Sequence, residues 1–252
     1  MHADSAGIPF EGREFPANPA ADDDGAADPR LIETVRRFRA RELGMPEVVA
    51  ALGAARLLVP LVTDRGDEGI GPHGQLVDKT QELALVTVEG PDGRVVLPVF
   101  SSVDAMRMWN PSARPIPVSA PRAALAAAAD RAGALVLDPG SPTEFALRRT
   151  GFEALATEGV FVPCFADEQV LEAFLAATAG EVVVRAVQLA PGDPDARLSG
   201  AELVVQLTLE PGLSREELDA LLARLGDAWA ASALIAERVD SIAVRLESLG
   251  TV

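Results

Sequence analysis

Glu202-Leu203-Val204-Val205-Gln206-Leu207-Thr208-Leu209 decides the fold of the C-terminal half. Leu203, Val205, Leu207 and Leu209 alternate with Glu202, Val204, Gln206 and Thr208, the period of a half-buried strand. Upstream, Glu181 to Leu189 reads as a partner strand, joined to it by a loop from Pro191 to Ser199. Downstream, Ser214 and Glu217 form a capping box. Leu218, Leu221, Leu222, Leu225 and Trp229 then make the apolar stripe of a helix, and Ile242, Val244 and Leu246 alternate in a last strand. The order is β-β-α-β over residues 181–252. One helix covers one face of such a sheet. Its edges, or an outer face carrying Val204, are then open to pairing in a homodimer.

Working back, Asp167 starts a connecting helix over 166–180, with Val170, Leu171, Phe174 and Leu175 on one face and Gly180 at its end. Residues 29–165 read as a mixed-sheet domain flanked by helices. Asp28 caps a helix with Pro29 in its first position, and Leu31, Ile32, Val35 and Phe38 follow at helical spacing. A second helix after Pro46 carries Val48, Val49 and Leu52, and Arg56 to Val62 reads as a buried strand. Glu82 to Glu89 and Arg94 to Phe100 flank the turn Gly90-Pro91-Asp92-Gly93, a hairpin pattern.

Ser101 and Asp104 resemble a capping box for a helix with Met106, Met108 and Trp109, which Pro111 ends. Ile116 to Val118 predicts a short strand, Pro121 an alanine-rich helix stopped by Gly133, and Ala134 to Leu137 a buried strand. Phe152 to Ala156 predicts a helix, Gly159 a bend, and Phe161 to Phe165 a short strand. The fold class is α/β (α+β).

The remaining 1–28 form an extended, partly disordered arm, with Asp22-Asp23-Asp24 solvated and, in the stretch Ile8 to Phe15, Phe10 and Phe15 as apolar anchors for self-docking or a partner.

The 252 residues are 48% hydrophobic, enough for a sizeable core. No run approaches the ~20 apolar residues of a membrane span, and the start lacks a secretory pattern. Cys164 is the only cysteine, which excludes an intramolecular disulfide and fits a reducing cytoplasm. A net charge of −16 with scattered basic residues argues against a nucleic-acid partner. Lys79 is the sole lysine and tyrosine is absent, a usage that follows from GC-rich codons.

Chemistry is sparse. His2 and His73 have no metal-spaced neighbour, and Asp64, Asp67 and Glu68 lack the calcium-loop spacing, so no metal site is expected. Cys164 sits among apolar residues as an inert thiol would. No serine occupies a nucleophile elbow, and Gly66, Gly69, Gly71 and Gly74 form no phosphate loop. No catalytic residue or cofactor is predicted.

Two loops stand out. Phe100-Ser101-Ser102 passes from strand to helix, where unpaired N–H groups favour anions. Asp138-Pro139-Gly140-Ser141 follows a strand, where α/β folds tend to bind ligands. With Trp109 they define a candidate binding surface: Phe100, Ser101, Ser102, Trp109, Asp138, Gly140 and Ser141. Capping, turn chemistry and core packing explain the same residues without a ligand.

These loops also carry a resemblance. Leu83 to Leu155 is similar to the N-terminal domain of the SseB family, named for enhanced serine sensitivity. The resemblance lies in Leu97-Pro98-Val99-Phe100-Ser101-Ser102, the helix with Ala105 to Trp109, Leu135-Val136-Leu137 and Asp138-Pro139-Gly140-Ser141. The arm Ile8-Pro9-Phe10-Glu11-Gly12-Arg13 resembles versions from high-GC Gram-positive bacteria. Family members often carry Asn where Asp138 stands and Thr where Ser101 stands. The resemblance implies an α/β fold and a cytosolic protein, and it carries over no established catalytic residues, cofactor or substrate.

The leading functional expectation is a non-enzymatic module that binds a protein or small ligand. An enzyme or small-molecule sensor built on carboxylates of the 64–79 region, with Asp78 and Lys79 as a charged pair, is the alternative. Self-assembly through the C-terminal unit is the third.

Overall fold

The computed structural model describes residues 23–61, 69–70, 76–77 and 86–248. The anchors Ile8 to Phe15, both histidines, the charged residues Asp64 to Glu68, Asp78 and Lys79, and the start of the run from Glu82 lie outside the described residues.

Asp28 caps α1 (Pro29–Arg39), its carboxylate accepting from the Arg30 N–H at 2.7 Å. The periodic Leu31, Val35 and Phe38 are the residues it buries. α2 (Met45–Ala54) buries Val48, Val49 and Leu52 and leads into β1 (Arg56–Leu61). After the two-residue pair β2 (Gly69–Ile70) and β3 (Leu76–Val77), β4 (Val88–Glu89) and β5 (Val95–Val99) form a hairpin. Its turn closes through Gly90 N–H to Arg94 O at 2.8 Å, with Gly93 at φ +77°, where a Cβ would be strained.

The chain continues through α3 (Val103–Trp109), β6 (Arg114–Ser119), α4 (Ala120–Ala129), β7 (Ala134–Leu137), β8 (Phe145–Arg148) and α5 (Phe152–Thr157). The sheet order is β4-β5-β7-β8, with β5 and β7 parallel and the outer pairs antiparallel. β1 and β6 pair antiparallel beside it, linked by a bridge between Leu58 and Phe100. β6 is longer than Ile116 to Val118. It tolerates Pro115 and Pro117 because it lies at an edge.

Leu97, Val99, Leu135, Leu137 and Leu147 face α1, α2, α4 and α5 and make the first core. The opposite face carries Val96, Ala134, Val136 and Ala146.

The C-terminal half is the expected β-β-α-β sheet: β9 (Val184–Pro191), β10 (Leu203–Leu209), helices, then β11 (Ile242–Ser248), in order β11-β10-β9. β10 shows the alternation of its sequence, with Leu203, Val205 and Leu207 fully buried. The Ser214–Glu217 capping box opens α7 (Arg215–Ala231). α6 (Glu168–Thr178) sends Val170 and Phe174 into this second core, where the Phe174 and Trp229 rings meet at 5.3 Å.

Several local expectations are corrected. Phe161 to Phe165 is not a strand, and a 3-10 turn, Cys164–Ala166, takes its end. α4 stops before Gly133, because Arg131 takes the left-handed conformation at φ +54°. Ser102 rather than Ser101 caps α3, accepting from the Ala105 N–H at 3.1 Å. Ser232 starts a further helix, α8 (Ala233–Arg238), that no pattern announced. Residues 23–28, assigned to the arm, lie against the domain. Asp23 pairs with Arg56 at 2.9 Å, and the Val103 N–H donates to the Gly25 carbonyl.

The two halves meet through the loop between β9 and β10. Gly192 and Gly200 close its neck, where a Cβ on Gly192 would run into the Ala201 carbonyl. Its tip places Ala196 in the first core and Leu198 on the opposite sheet face, and the Ala146 N–H donates to Ala196 O at 2.8 Å. Arg39 donates to the carbonyls of Asp195 and Glu144 from the N-terminal side.

Beneath the loop lies Arg148, 5% exposed at the end of β8. Its guanidinium donates to Asp193 at 3.1 Å, Asp240 at 3.1 Å and the Gly200 carbonyl at 2.6 Å. Asp240 also accepts from Arg94 at 2.6 Å, and Asp193 accepts N–H bonds from Arg197, Leu198 and Ser199. Removing the cation leaves the buried Asp193 carboxylate without an ionic partner, while Asp240 keeps Arg94 at 2.6 Å and Arg149 at 3.5 Å. Arg148→Ala is therefore expected to cost about 3–5 kcal/mol of stability. Chemical denaturation reads this directly, and a loss under about 1 kcal/mol would mark the cluster as an ordinary surface ion pair.

Candidate functional site

The parallel pairing of β5 with β7 puts Val99 opposite Leu137, so the residues just past these strand ends must meet. The Asp138 N–H extends the ladder to Val99 O at 2.8 Å. Its side chain turns toward Ser101 and accepts from the Ser101 N–H at 2.8 Å and the Ser101 hydroxyl at 2.7 Å. Thr143 donates a third bond at 2.8 Å. Asp138 has φ +44°, a left-handed position that Asp tolerates better than most residues. Burial pushes its carboxyl above the usual range, against the opposing pull of the Ser101 and Thr143 bonds.

The rest of the second loop folds on itself. Gly140, at φ +78°, gives its N–H to Glu144 at 2.6 Å. The Ser141 hydroxyl lies 2.9 Å from that of Thr143 and accepts the Thr143 N–H at 3.1 Å. On the first loop, Phe100 is fully buried with Leu58 and Met106. Trp109 stacks on it at 5.3 Å with the rings tilted by 45°.

The predicted residues thus converge but divide into two layers. Phe100, Ser101 and Asp138 lie beneath, with Ser102 capping α3 and Ser141 shaping the turn. Trp109 and Gly140 line a concavity of about 250 Å³ on the second sheet face. Val88, Val96, Pro98, Val136 and Pro139 line it too, and Leu198 contributes from the C-terminal half. Arg197 and Glu144 supply charge at its margin, 3.9 Å apart.

Leu198 and Arg197 were not anticipated, since their approach depends on the docked loop. The sheet-face residues had a signal: the unbroken apolar run Val95 to Val99 carries Val96 and Pro98 opposite Leu97 and Val99, so both faces of β5 are covered.

Two other titratable groups sit at the join. Burial, and then the adjacent Glu202 carboxylate, push the Cys164 thiol up. Burial likewise raises Glu202, which accepts from the Thr150 hydroxyl at 2.7 Å and the Asp240 N–H at 2.6 Å. Among the described residues, no three His, Cys, Asp or Glu side chains form a group able to hold a metal ion. No helix among them is long and apolar enough to cross a membrane.

Two parallel strands ending in interlocked loops, with helices over one face and a β-β-α-β unit docked beside the other, define an α/β domain with a C-terminal partner. Residues 31–154 match the family model of the SseB protein N-terminal domain, and the chain belongs to the SseB family. No curated protein and no solved structure matches the chain.

Two predictions follow from the Ser101–Asp138 clasp. Ser101→Ala removes a charge-assisted bond and is expected to cost about 1–3 kcal/mol in urea denaturation. A raised acid binds its proton in the folded state before the unfolded chain does. Its contribution to stability therefore grows as pH falls through the raised value and levels off below the ordinary carboxylate range. Asp138→Asn keeps the shape without titrating, so the wild-type stability relative to this variant should rise on acidification. A difference that stays flat or shrinks contradicts the assignment.

Proposed function

We propose that the chain is a binding module without catalysis of its own, which takes an apolar side chain of a partner polypeptide between Trp109 and the Pro139–Gly140 turn. The observation that carries this reading is the division of the two loops. Their polar groups are spent on each other through Ser101, Asp138 and Thr143, while their outer residues open onto one apolar concavity. At about 250 Å³ it falls below the ~300–1,000 Å³ typical of pockets that enclose a drug-sized molecule. One or two anchoring side chains fit the space better, and a tryptophan wall is characteristic of residues that dominate protein interfaces. Arg197 and Glu144 at the margin would orient the partner's backbone or flanking polar groups.

Asp138 is a poor general base here, because its carboxylate already accepts three bonds. Cys164 is a poor nucleophile, because its thiolate is disfavoured. The carboxylate-based enzyme or sensor reading rests on residues outside the described ones. A reducing cytoplasm is the compartment we assign, on the single cysteine.

The test is a selection of displayed random peptides on the intact protein, followed by affinity measurement on two variants. Trp109→Ala and Val88→Asp should each weaken the selected peptides by about tenfold or more, the scale of losing one anchoring contact. In a Trp229→Phe background, the fluorescence of Trp109 should shift to the blue as the peptide covers it. Peptides that bind both variants as tightly as the parent would place recognition elsewhere and remove this reading.

A further inference from the structure

We infer that β11 is a self-association edge, on which a second copy of this chain pairs antiparallel about a two-fold axis at Leu246. β11 lies at the end of the sheet order β11-β10-β9. Ser241 O accepts the Leu203 N–H, so the odd-numbered residues of β11 turn their backbone groups toward β10. Val244 and Leu246 turn theirs to the side that has no partner strand among the described residues. Such an edge is a template for another strand unless it is blunted. The opposite edge is blunted: β9 pairs with β10 through a register shift at Thr208/Leu209 and carries Arg185, ion-paired with Glu210. β11 runs seven residues without a shift.

The side chains of β11 select the occupant. Val244 and Leu246 stand in register with Val205 and Leu207, which are fully buried, yet are themselves 39% and 40% exposed. The apolar face of the sheet therefore continues past the cover of α7. A groove of about 490 Å³ remains between α7 and β11, with Leu222, Gly226, Trp229 and Ala230 on one wall and Ile242 and Val244 on the other.

Arg245 and Glu247 occupy the other face, both exposed, and neither has an ion-pair partner among the described residues. With the axis at Leu246, Arg245 stands opposite the second copy's Glu247, and Glu247 opposite its Arg245. Both are non-hydrogen-bonded cross-strand pairs, where side chains approach most closely. An axis at Arg245 would oppose two arginines, and one at Val244 would leave the charges unmatched. An odd shift would exchange the faces. The strand is thus complementary to itself in one register, as an isologous interface requires. Pairing would make one continuous six-stranded sheet and extend the apolar face across the axis, beside both grooves.

Sedimentation of the full chain from low-micromolar to hundred-micromolar concentration tests this. The expected species grows from the 26.3 kDa monomer to twice that mass. Arg245→Glu and Glu247→Arg each set like charges across the axis twice, and should each weaken the dimer by about tenfold or more. The two substitutions together restore opposite pairs and should restore the dimer. Leu246→Lys should abolish it, with circular dichroism showing that the monomer remains folded. A wild-type chain that stays monomeric throughout overturns the inference. So does a dimer that ignores all these changes, or one that the double charge exchange fails to restore.

Discussion

Arg148 carries a guanidinium into a place that water barely reaches, and the geometry around it follows from the need to compensate that charge. A buried cation without partners costs several kcal/mol, so Asp193 and Asp240 must come to it from a different part of the chain. Once Asp193 is there, its free acceptor capacity gathers the N–H groups of Arg197, Leu198 and Ser199 and gives the β9–β10 loop its shape. That shape sends Ala196 into one core and Leu198 onto the far sheet face. The concavity beside Trp109 therefore owes one wall to an ion pair with its back to it.

The same dependence bears on how the halves relate. The SseB N-terminal domain model spans 31–154 and includes Arg148, whereas Asp193 and Asp240 lie beyond it. A fragment ending with the matched segment would keep the guanidinium and lose both carboxylates. It would also uncover the Val96–Val136 face that Leu198 packs against. In this chain the matched segment and the β-β-α-β unit share the Arg148 ion pairs and the Leu198 contact at their join, although each has its own core.

Much of the fold was legible because it rests on local rules. The alternation of Leu203 to Leu209, the Ser214–Glu217 box, the Asp28-Pro29 start and the Gly90–Gly93 turn each act within a few residues. What was illegible is non-local. Arg148 ends a short apolar strand and looks like any arginine at a strand end, while its partners lie 45 and 92 residues away. The helix stop at Arg131 has no sequence signal, because a non-glycine takes the left-handed position that glycine usually fills. At the site, the two loops were legible as candidates because each follows a strand end, and the parallel pairing of β5 with β7 is what brings them together. Which side chains turn inward was not, since Ser101 and Asp138 satisfy each other only once β5 and β7 are adjacent.

Cys164 gives the chain a property of practical reach. It is the only thiol, sits where the polypeptide passes between the halves, and lies 4% exposed beside a carboxylate that disfavours its ionised form. Alkylating reagents consume thiolate, so modification is slow while the thiol stays buried and speeds up when the join opens and admits water. The rate at which this one sulfur is lost is then a clock for that opening, running in the unaltered protein without an added label.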